Sequence, residues 1–194
     1  MSKLVAVESV SLDGVMQAPG RPDEDLRGGF EHGGWAVPYP DAVIGQAMAE
    51  GMANAGAMLF GRRTFIDFFK VWPKRTNNPY TEVLNNGQKY VASTTLSNPP
   101  PWQNSTLITG DVPAAVSRLK AEGGKDLVVL GSGELLRSLM QHRLVDEYVL
   151  LIYPLVLGSG RRLFPDASAF EKVELVRAIP TTTGVVIGTY RVAA

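Results

Sequence analysis

Two stretches of this chain run an apolar segment, a glycine and the start of a helical pattern together. They are Met58-Leu59-Phe60-Gly61-Arg62-Arg63-Thr64 and Val128-Val129-Leu130-Gly131-Ser132-Gly133. A helix N-terminus presents unpaired backbone N–H groups and the positive end of its dipole, which attracts anions. A glycine there lets a phosphate approach the backbone, since no Cβ stands in the way. In open α/β sheets such turns lie at the carboxyl ends of strands, where ligands bind. Two of them suit a ligand with two separated phosphates, such as a dinucleotide. The plainer alternative is that glycine merely solves the turn geometry. Arg62 and Arg63 weigh against it at the first turn, because arginine opposes the helix dipole there while its fork suits a phosphate. A guanidinium fork also discriminates a dinucleotide that carries a 2′-phosphate from one that lacks it.

Other candidate chemistry is sparser. Gly131-x-Gly133 continues into Glu134-Leu135-Leu136, so the third glycine of the Rossmann fingerprint is missing, and no Gly-Lys-Ser/Thr P-loop occurs. Gly158-Ser159-Gly160-Arg161-Arg162 is a basic, flexible segment that either closes on a phosphate or forms a tight turn. Asp13, in Leu12-Asp13-Gly14, reads equally as a turn former. With no Cys and only His32 and His142, thiol nucleophiles, Cys-ligated zinc, iron–sulfur clusters and disulfides are excluded, and a metal site is not expected. Lys plus Arg and Asp plus Glu are 19 each, a balance that argues against nucleic acid as partner. The N-terminal apolar run Leu4–Val7 stops at Glu8, too short for a signal peptide, and no stretch reaches the roughly 20 apolar residues of a membrane span. A cytoplasmic protein acting on a small molecule, without membrane contact, is the expectation.

The elements that must hold these turns alternate in type. Strand patterns cover Lys3–Val10, Ala57–Phe60, Lys89–Ser93, Thr106–Thr109, Leu127–Leu130, Val145–Tyr153, Glu171–Ala178 and Val185–Val192. Helical patterns cover Asp41–Ala55, Arg62–Phe69, Asp111–Glu122 and Glu134–Gln141, and a long irregular loop runs from Ala18 to Tyr39. The 194 residues predict one α/β domain over 1–194. Its central sheet is mostly parallel, with antiparallel C-terminal strands and helices on both faces.

The order of the motifs resembles a known family. Ser11-Leu12-Asp13-Gly14, Gly61-Arg62-Arg63-Thr64 and Val129-Leu130-Gly131-Ser132-Gly133 follow one another as in the dihydrofolate reductase-like superfamily. Val145-Asp146-Glu147-Tyr148 and Pro154-Leu155-Val156-Leu157-Gly158-Ser159-Gly160-Arg161-Arg162-Leu163-Phe164 are similar to the C-terminal reductase domain of the bifunctional riboflavin-biosynthesis deaminase–reductase. The likeness spans Lys3 to Val192.

The resemblance implies the dihydrofolate reductase-like three-layer fold and NADPH as cofactor. Gly61, Arg62, Arg63 and Thr64 would hold the adenosine 2′-phosphate and pyrophosphate side. Ser93 and Thr94 would sit near the adenine ribose phosphate. Gly131, Ser132, Gly133, Glu134 and Leu135 would meet the pyrophosphate, and Asp13 and Gly14 would lie near the nicotinamide ribose. Trp35, Pro38 and Asp41 resemble the segment that carries the family's acid, which makes Asp41 the candidate proton source; Asp41 reads equally as a helix N-cap. The implied reaction is hydride transfer to a C=N or C=O of a pterin- or ribosylaminopyrimidine-like substrate, as in 5-amino-6-(5-phosphoribosylamino)uracil reductase. The alternative is a non-catalytic nucleotide-binding relative, separated from the enzyme by whether the loop Gly20–Gly34 closes over a second pocket. The relatives' reductase domains pair, and the apolar strands Val145–Tyr153 and Glu171–Val192 predict a homodimer.

Overall fold

A computed structural model describes residues 1–76, 79–96, 101–166 and 170–193. Strands β1 (Leu4–Ser11), β2 (Ala55–Gly61), β3 (Gln88–Ala92), β4 (Ser105–Ile108), β5 (Asp126–Leu130), β6 (Glu147–Tyr153), β7 (Val173–Pro180) and β8 (Val186–Val192) form one eight-stranded sheet. Its order is β4-β3-β2-β5-β1-β6-β8-β7. β2, β3, β4 and β5 pair in parallel, while β6–β8 and β7–β8 are antiparallel, as the alternation of strands and helices predicts. The helices are α1 (Ala42–Ala53), α2 (Arg62–Val71), α3 (Pro79–Asn86), α4 (Val112–Glu122) and α5 (Gly133–Gln141). The chain resolves into two compact units, one of Met1–Ala6 and Gly45–Asp146, the other of Val7–Ile44 and Glu147–Ala194.

In the first unit, continuous apolar runs make buried parallel strands. Ala57–Phe60 and Leu127–Leu130 are buried at every position, as strands covered on both faces must be. α2 buries Phe65 on Phe60, their ring centroids 5.9 Å apart, and Phe68 lies 5.4 Å from the same ring. Trp102 closes the cluster 5.7 Å from Phe65. α4 begins as its sequence dictates: Asp111 accepts the Ala114 N–H at 3.0 Å and Pro113 sits in the first turn.

One helix was not legible. α3 is short, opens on Pro79 after a polar run, and offers no sustained apolar period. Its anchor lies outside it. Lys89 on β3 is completely buried, and its Nζ donates to the carbonyls of Leu84 (2.7 Å), Asn85 (3.2 Å) and Gly87 (2.7 Å), closing the helix end. The ammonium also lies 4.9 Å from the centre of the Trp102 ring. Burial lowers its pKa to about 8.

The second unit carries β6 as a buried strand, with Tyr148, Leu150, Leu151 and Tyr153 all covered. The hairpin β7–β8 turns at Thr181–Gly184, where the Thr181 N–H donates to the Val185 carbonyl at 2.9 Å. The long segment before α1 is ordered by a buried glutamine. Gln17 donates from Nε2 to the Asp25 and Arg27 carbonyls at 3.1 and 2.9 Å. Its Oε1 accepts the Arg161 N–H at 3.0 Å, and its carbonyl accepts Trp35 Nε1–H at 2.7 Å.

Lys89→Met keeps most of the stem's volume but leaves these three carbonyls without their donor. The expected loss is about 1–3 kcal/mol, read as a lower urea midpoint at unchanged m-value. An unchanged midpoint would show that α3 does not depend on the lysine.

Candidate functional site

The two glycine turns come together because of strand register. β2 and β5 are parallel neighbours, so the turns that follow Phe60 and Leu130 emerge at the same end of the sheet. The Gly61 N–H donates to Ser132 Oγ at 2.9 Å, and that hydroxyl in turn donates to the Leu130 carbonyl at 3.0 Å. Gly131 and Ser132 both take left-handed backbone conformations, with φ of 54° and 68°. For serine this costs strain of about 1–2 kcal/mol. A Cβ on Gly131 would lie 3.2 Å from Thr64 Cγ2, so the glycine lets the two turns approach.

The consequence for chemistry lies in the helix starts. Gly61 and Ser132 are the N-caps of α2 and α5; Gly61 has no side chain to cap with, and Ser132 Oγ accepts no N–H of its own helix. Ser132, the residue type best suited to cap, spends its hydroxyl on the neighbouring turn. Two adjacent helix N-termini therefore keep their first amide donors uncapped by side chains, a geometry that favours an anion. Arg63 Nη1 lies 3.4 Å from Glu134 Oε1 with both side chains more than half exposed, a pair worth little to stability. Arg62, half-buried, forms no ion pair among the described residues.

Ser93 and Thr94 follow β3 directly, and Ala92 is in register with Gly61, so this segment joins the same end of the sheet. Ser93 is buried, and its Oγ accepts the N–H groups of Thr95 (3.1 Å) and Leu96 (3.0 Å). Thr94 is exposed. The structure thus gathers Gly61–Thr64, Ser93–Thr94 and Gly131–Leu135 in one unit.

Asp13, Gly14 and Asp41 belong to the other unit. Asp13 accepts from Ser11 Oγ (2.6 Å), the Leu157 N–H (3.1 Å) and the Gly158 N–H (2.9 Å). The serine hydroxyl first, then the two amides, hold its pKa down to about 2. Gly14 takes φ 78°, and its N–H donates to the Ser11 carbonyl at 2.9 Å, completing the expected turn. The segment Gly158–Arg162 is thereby fastened through Asp13, and its Gly160 packs against Phe30 and Val15 with no room for a Cβ.

Asp41 does start α1, accepting the Val43 N–H at 2.8 Å. Its other oxygen accepts from the Thr182 hydroxyl (2.6 Å) and the N–H groups of Thr182 (2.8 Å) and Thr183 (3.3 Å). These donors, the hydroxyl foremost, lower its pKa. Asp41 thus joins the start of α1 to the turn of the β7–β8 hairpin, and its hydrogen bonds favour the ionised form.

Sequence reading passed over Glu8. The alternation of β1 puts Leu4, Ala6, Glu8 and Val10 on one face, and all four are buried. Burial, with Glu24 nearby, pushes the Glu8 pKa up to about 8, and its Oε1 has no hydrogen-bond partner among the described residues. The available signal was an acid at a core position of an apolar strand. Among the described residues no cluster of His, Cys, Asp or Glu could hold a metal ion, and no helix is long and apolar enough to cross a membrane.

The chain belongs to the RibD C-terminal domain family, whose model matches residues 2–187. It is similar to the Bacillus subtilis uncharacterized protein YyaP, 28% identical over 158 residues, 78% of this chain and 80% of that one. A second B. subtilis protein, YwjB, is 33% identical over 73 residues, 38% of this chain and 42% of its own. Among solved structures, a putative riboflavin biosynthesis protein from Shewanella sp. PV-4 superposes with TM-score 0.75 at 19% identity, covering 99% of both chains. A pyrimidine reductase-like protein from Corynebacterium diphtheriae gives 0.68 at 14% identity, covering 100% of this chain and 92% of its own. Acinetobacter baumannii RibD also gives 0.68 at 14% identity, and this chain spans only 59% of it. The fold is the dihydrofolate reductase-like one that the order of motifs implied.

If the Ser132 hydroxyl ties the two turns, Ser132→Ala loses that tie and keeps the unfavourable φ. Ser132→Gly loses the tie and relieves the strain. The alanine variant is expected to be destabilised by about 1–3 kcal/mol. The glycine variant should be less destabilised, by about 1 kcal/mol, in the same urea titration. Equal midpoints for both variants would mean that Ser132 carries no strain.

Proposed function

We propose that this chain is an NADPH-dependent reductase that delivers hydride to a C=N or C=O of a small heterocycle of the ribosylaminopyrimidine or pterin kind. The observation that carries the reading is the pair of side-chain-uncapped helix N-termini joined through Ser132, with Arg62 and Arg63 at the first of them. Membership of the RibD C-terminal domain family supports the reductase class, and the pyrimidine reductase-like name of one structural relative supports the substrate class. The cofactor, when bound, supplies the hydride; the protein's part is to hold and orient.

In this reading the amides of Arg62–Thr64 and Gly133–Leu135 receive the pyrophosphate, and the Arg62 guanidinium takes the 2′-phosphate as a fork. Arg63 swings between Glu134 and that phosphate. Ser93 shapes the turn that presents Thr94 to the adenine ribose phosphate. Asp13 acts within its own unit, by fixing Leu157 and Gly158. Reduction of the C=N or C=O also takes up one proton, for which Asp41 is the candidate source, held in place by the Val43 amide and the Thr182 turn. We place the protein in the cytoplasm.

Titration with NADPH and NADH by calorimetry tests the reading. NADPH should bind at least about tenfold tighter, and Arg62→Ala should erase most of the difference while leaving NADH affinity nearly unchanged. Equal affinity in the unaltered protein overturns the cofactor assignment. Tight NADPH binding without oxidation against pyrimidines and pterins would favour a nucleotide-binding relative.

The reading includes a homodimer, and the fold narrows its surface. β6 is covered within the sheet, whereas β7 is the edge strand, with Val173, Leu175 and Val176 exposed. Antiparallel pairing of two β7 strands about a twofold axis between Leu175 and Val176 sets Glu174 opposite Arg177 of the partner copy, in both directions. Light scattering should give twice the 21.0 kDa chain mass, and Leu175→Lys with Val176→Lys should return it to one chain. A single-chain mass for the unaltered protein at micromolar concentration removes the dimer.

A further inference from the structure

The contact between Asp41 and the β7–β8 turn exceeds what either element needs. Starting α1 takes only Oδ1, which accepts the Val43 N–H at 2.8 Å. The turn closes on itself, through the Thr181 N–H to the Val185 carbonyl (2.9 Å) and the Gly184 N–H to the Thr181 carbonyl (3.4 Å). Yet the Thr182 N–H, the Thr182 hydroxyl and the Thr183 N–H all converge on Asp41 Oδ2, at 2.8, 2.6 and 3.3 Å. Three donors fill the lone-pair positions of that oxygen, so a proton has no place there while the turn is seated. No charge takes part. The turn Thr181–Gly184 has no ionisable residue, the first turn of α1 has no acid, and Tyr39 is the ionisable neighbour in the segment just before Asp41. Hydrogen bonds, that of the Thr182 hydroxyl foremost, are what lower the Asp41 pKa.

We propose that the turn Thr181–Gly184 gates Asp41, with Thr182 as the positioning residue: seated, it keeps the carboxylate ionised; lifted, it lets Oδ2 take up the proton that reduction consumes. Its use in turnover rests on the reductase reading, whereas the gate itself is a property of the protein alone. In turnover the substrate carbon takes the hydride that the cofactor supplies, and the substrate nitrogen or oxygen takes the proton from Oδ2. The turn then reseats on the carboxylate left behind, and solvent returns a proton to Oδ2 when the turn next lifts.

Linkage gives the sign. With the turn seated, the carboxyl titrates below its ordinary value of 3.8; with the turn lifted, it returns to that value. Lifting therefore takes up a proton between the two values. The hold of the turn on Asp41 is complete above the ordinary value and is lost as the pH falls through the lowered one. Acid opens the gate.

NMR of the Asp41 carboxyl carbon, followed together with the Thr182 and Thr183 amides, reads the gate in the unliganded protein. The carboxyl should titrate below 3.8, and both amides should shift with the same midpoint. Thr182→Val keeps the branched shape without the hydroxyl and should move the Asp41 midpoint upward. Thr182→Ser keeps the donor and should restore it. An Asp41 midpoint indifferent to the hydroxyl, or amides that do not follow it, overturns the gate. In steady-state NADPH oxidation, Thr182→Val should carry the basic fall of the kcat profile to higher pH with KM unchanged. A profile that stays in place while the NMR midpoint moves overturns the gate's part in turnover. Absence of turnover in the unaltered protein counts against the reductase reading, and the NMR titration still decides the gate.

Discussion

The amide of Gly61 must find an acceptor at the point where β2 ends, and the hydroxyl of Ser132 supplies it. Much of the first unit's chemistry depends on that bond. Parallel pairing of β2 with β5 puts two strand ends side by side, and the bond holds the turns that follow at one spacing. It also diverts Ser132 from the capping role its residue type would otherwise favour. Both helices consequently offer backbone donors to whatever binds there. The left-handed conformation of Ser132 belongs to the same compromise: a strained residue kept at the turn because its hydroxyl reaches the neighbouring one.

The second unit works through carboxylates that act as acceptors. Asp13 collects two amides and a hydroxyl, Asp41 collects three amides and a hydroxyl, and Glu24 collects two amides. Each converts an irregular segment into a fixed one, because a charged acceptor makes stronger hydrogen bonds than a neutral one. In the loop Ala18–Tyr39, Glu24 adds to the hydrogen bonds of Gln17, and together they give a segment with little regular structure a defined path. It also separates two kinds of acid that look alike in a sequence. Asp41 is stabilised in its ionised form, whereas Glu8 is stabilised in its neutral form, and burial against hydrogen bonding decides which.

Much of the architecture was written locally. The apolar runs around Phe60 and Leu130 name buried parallel strands, and the glycines after them name the turns. Asp111 and Pro113 name the start of α4, and Thr181–Gly184 names a hairpin. These signals are short-range, set by backbone conformation and by the period of apolar residues, so a sequence displays them. The order of the motifs carried the family as well, and the family's model matches residues 2–187.

What the sequence alone could not decide is partnership over distance. Asp13 meets Leu157 and Gly158, and Asp41 meets Thr182, more than 140 positions away in each case. α3 is held by a lysine beyond its own end, and Glu8 acquires its raised pKa from the apolar residues packed around it. A residue type fixes which hydrogen bonds and charges are available. Which of them are satisfied, and so which acid stays ionised and which keeps its proton, depends on neighbours that only the tertiary structure assembles.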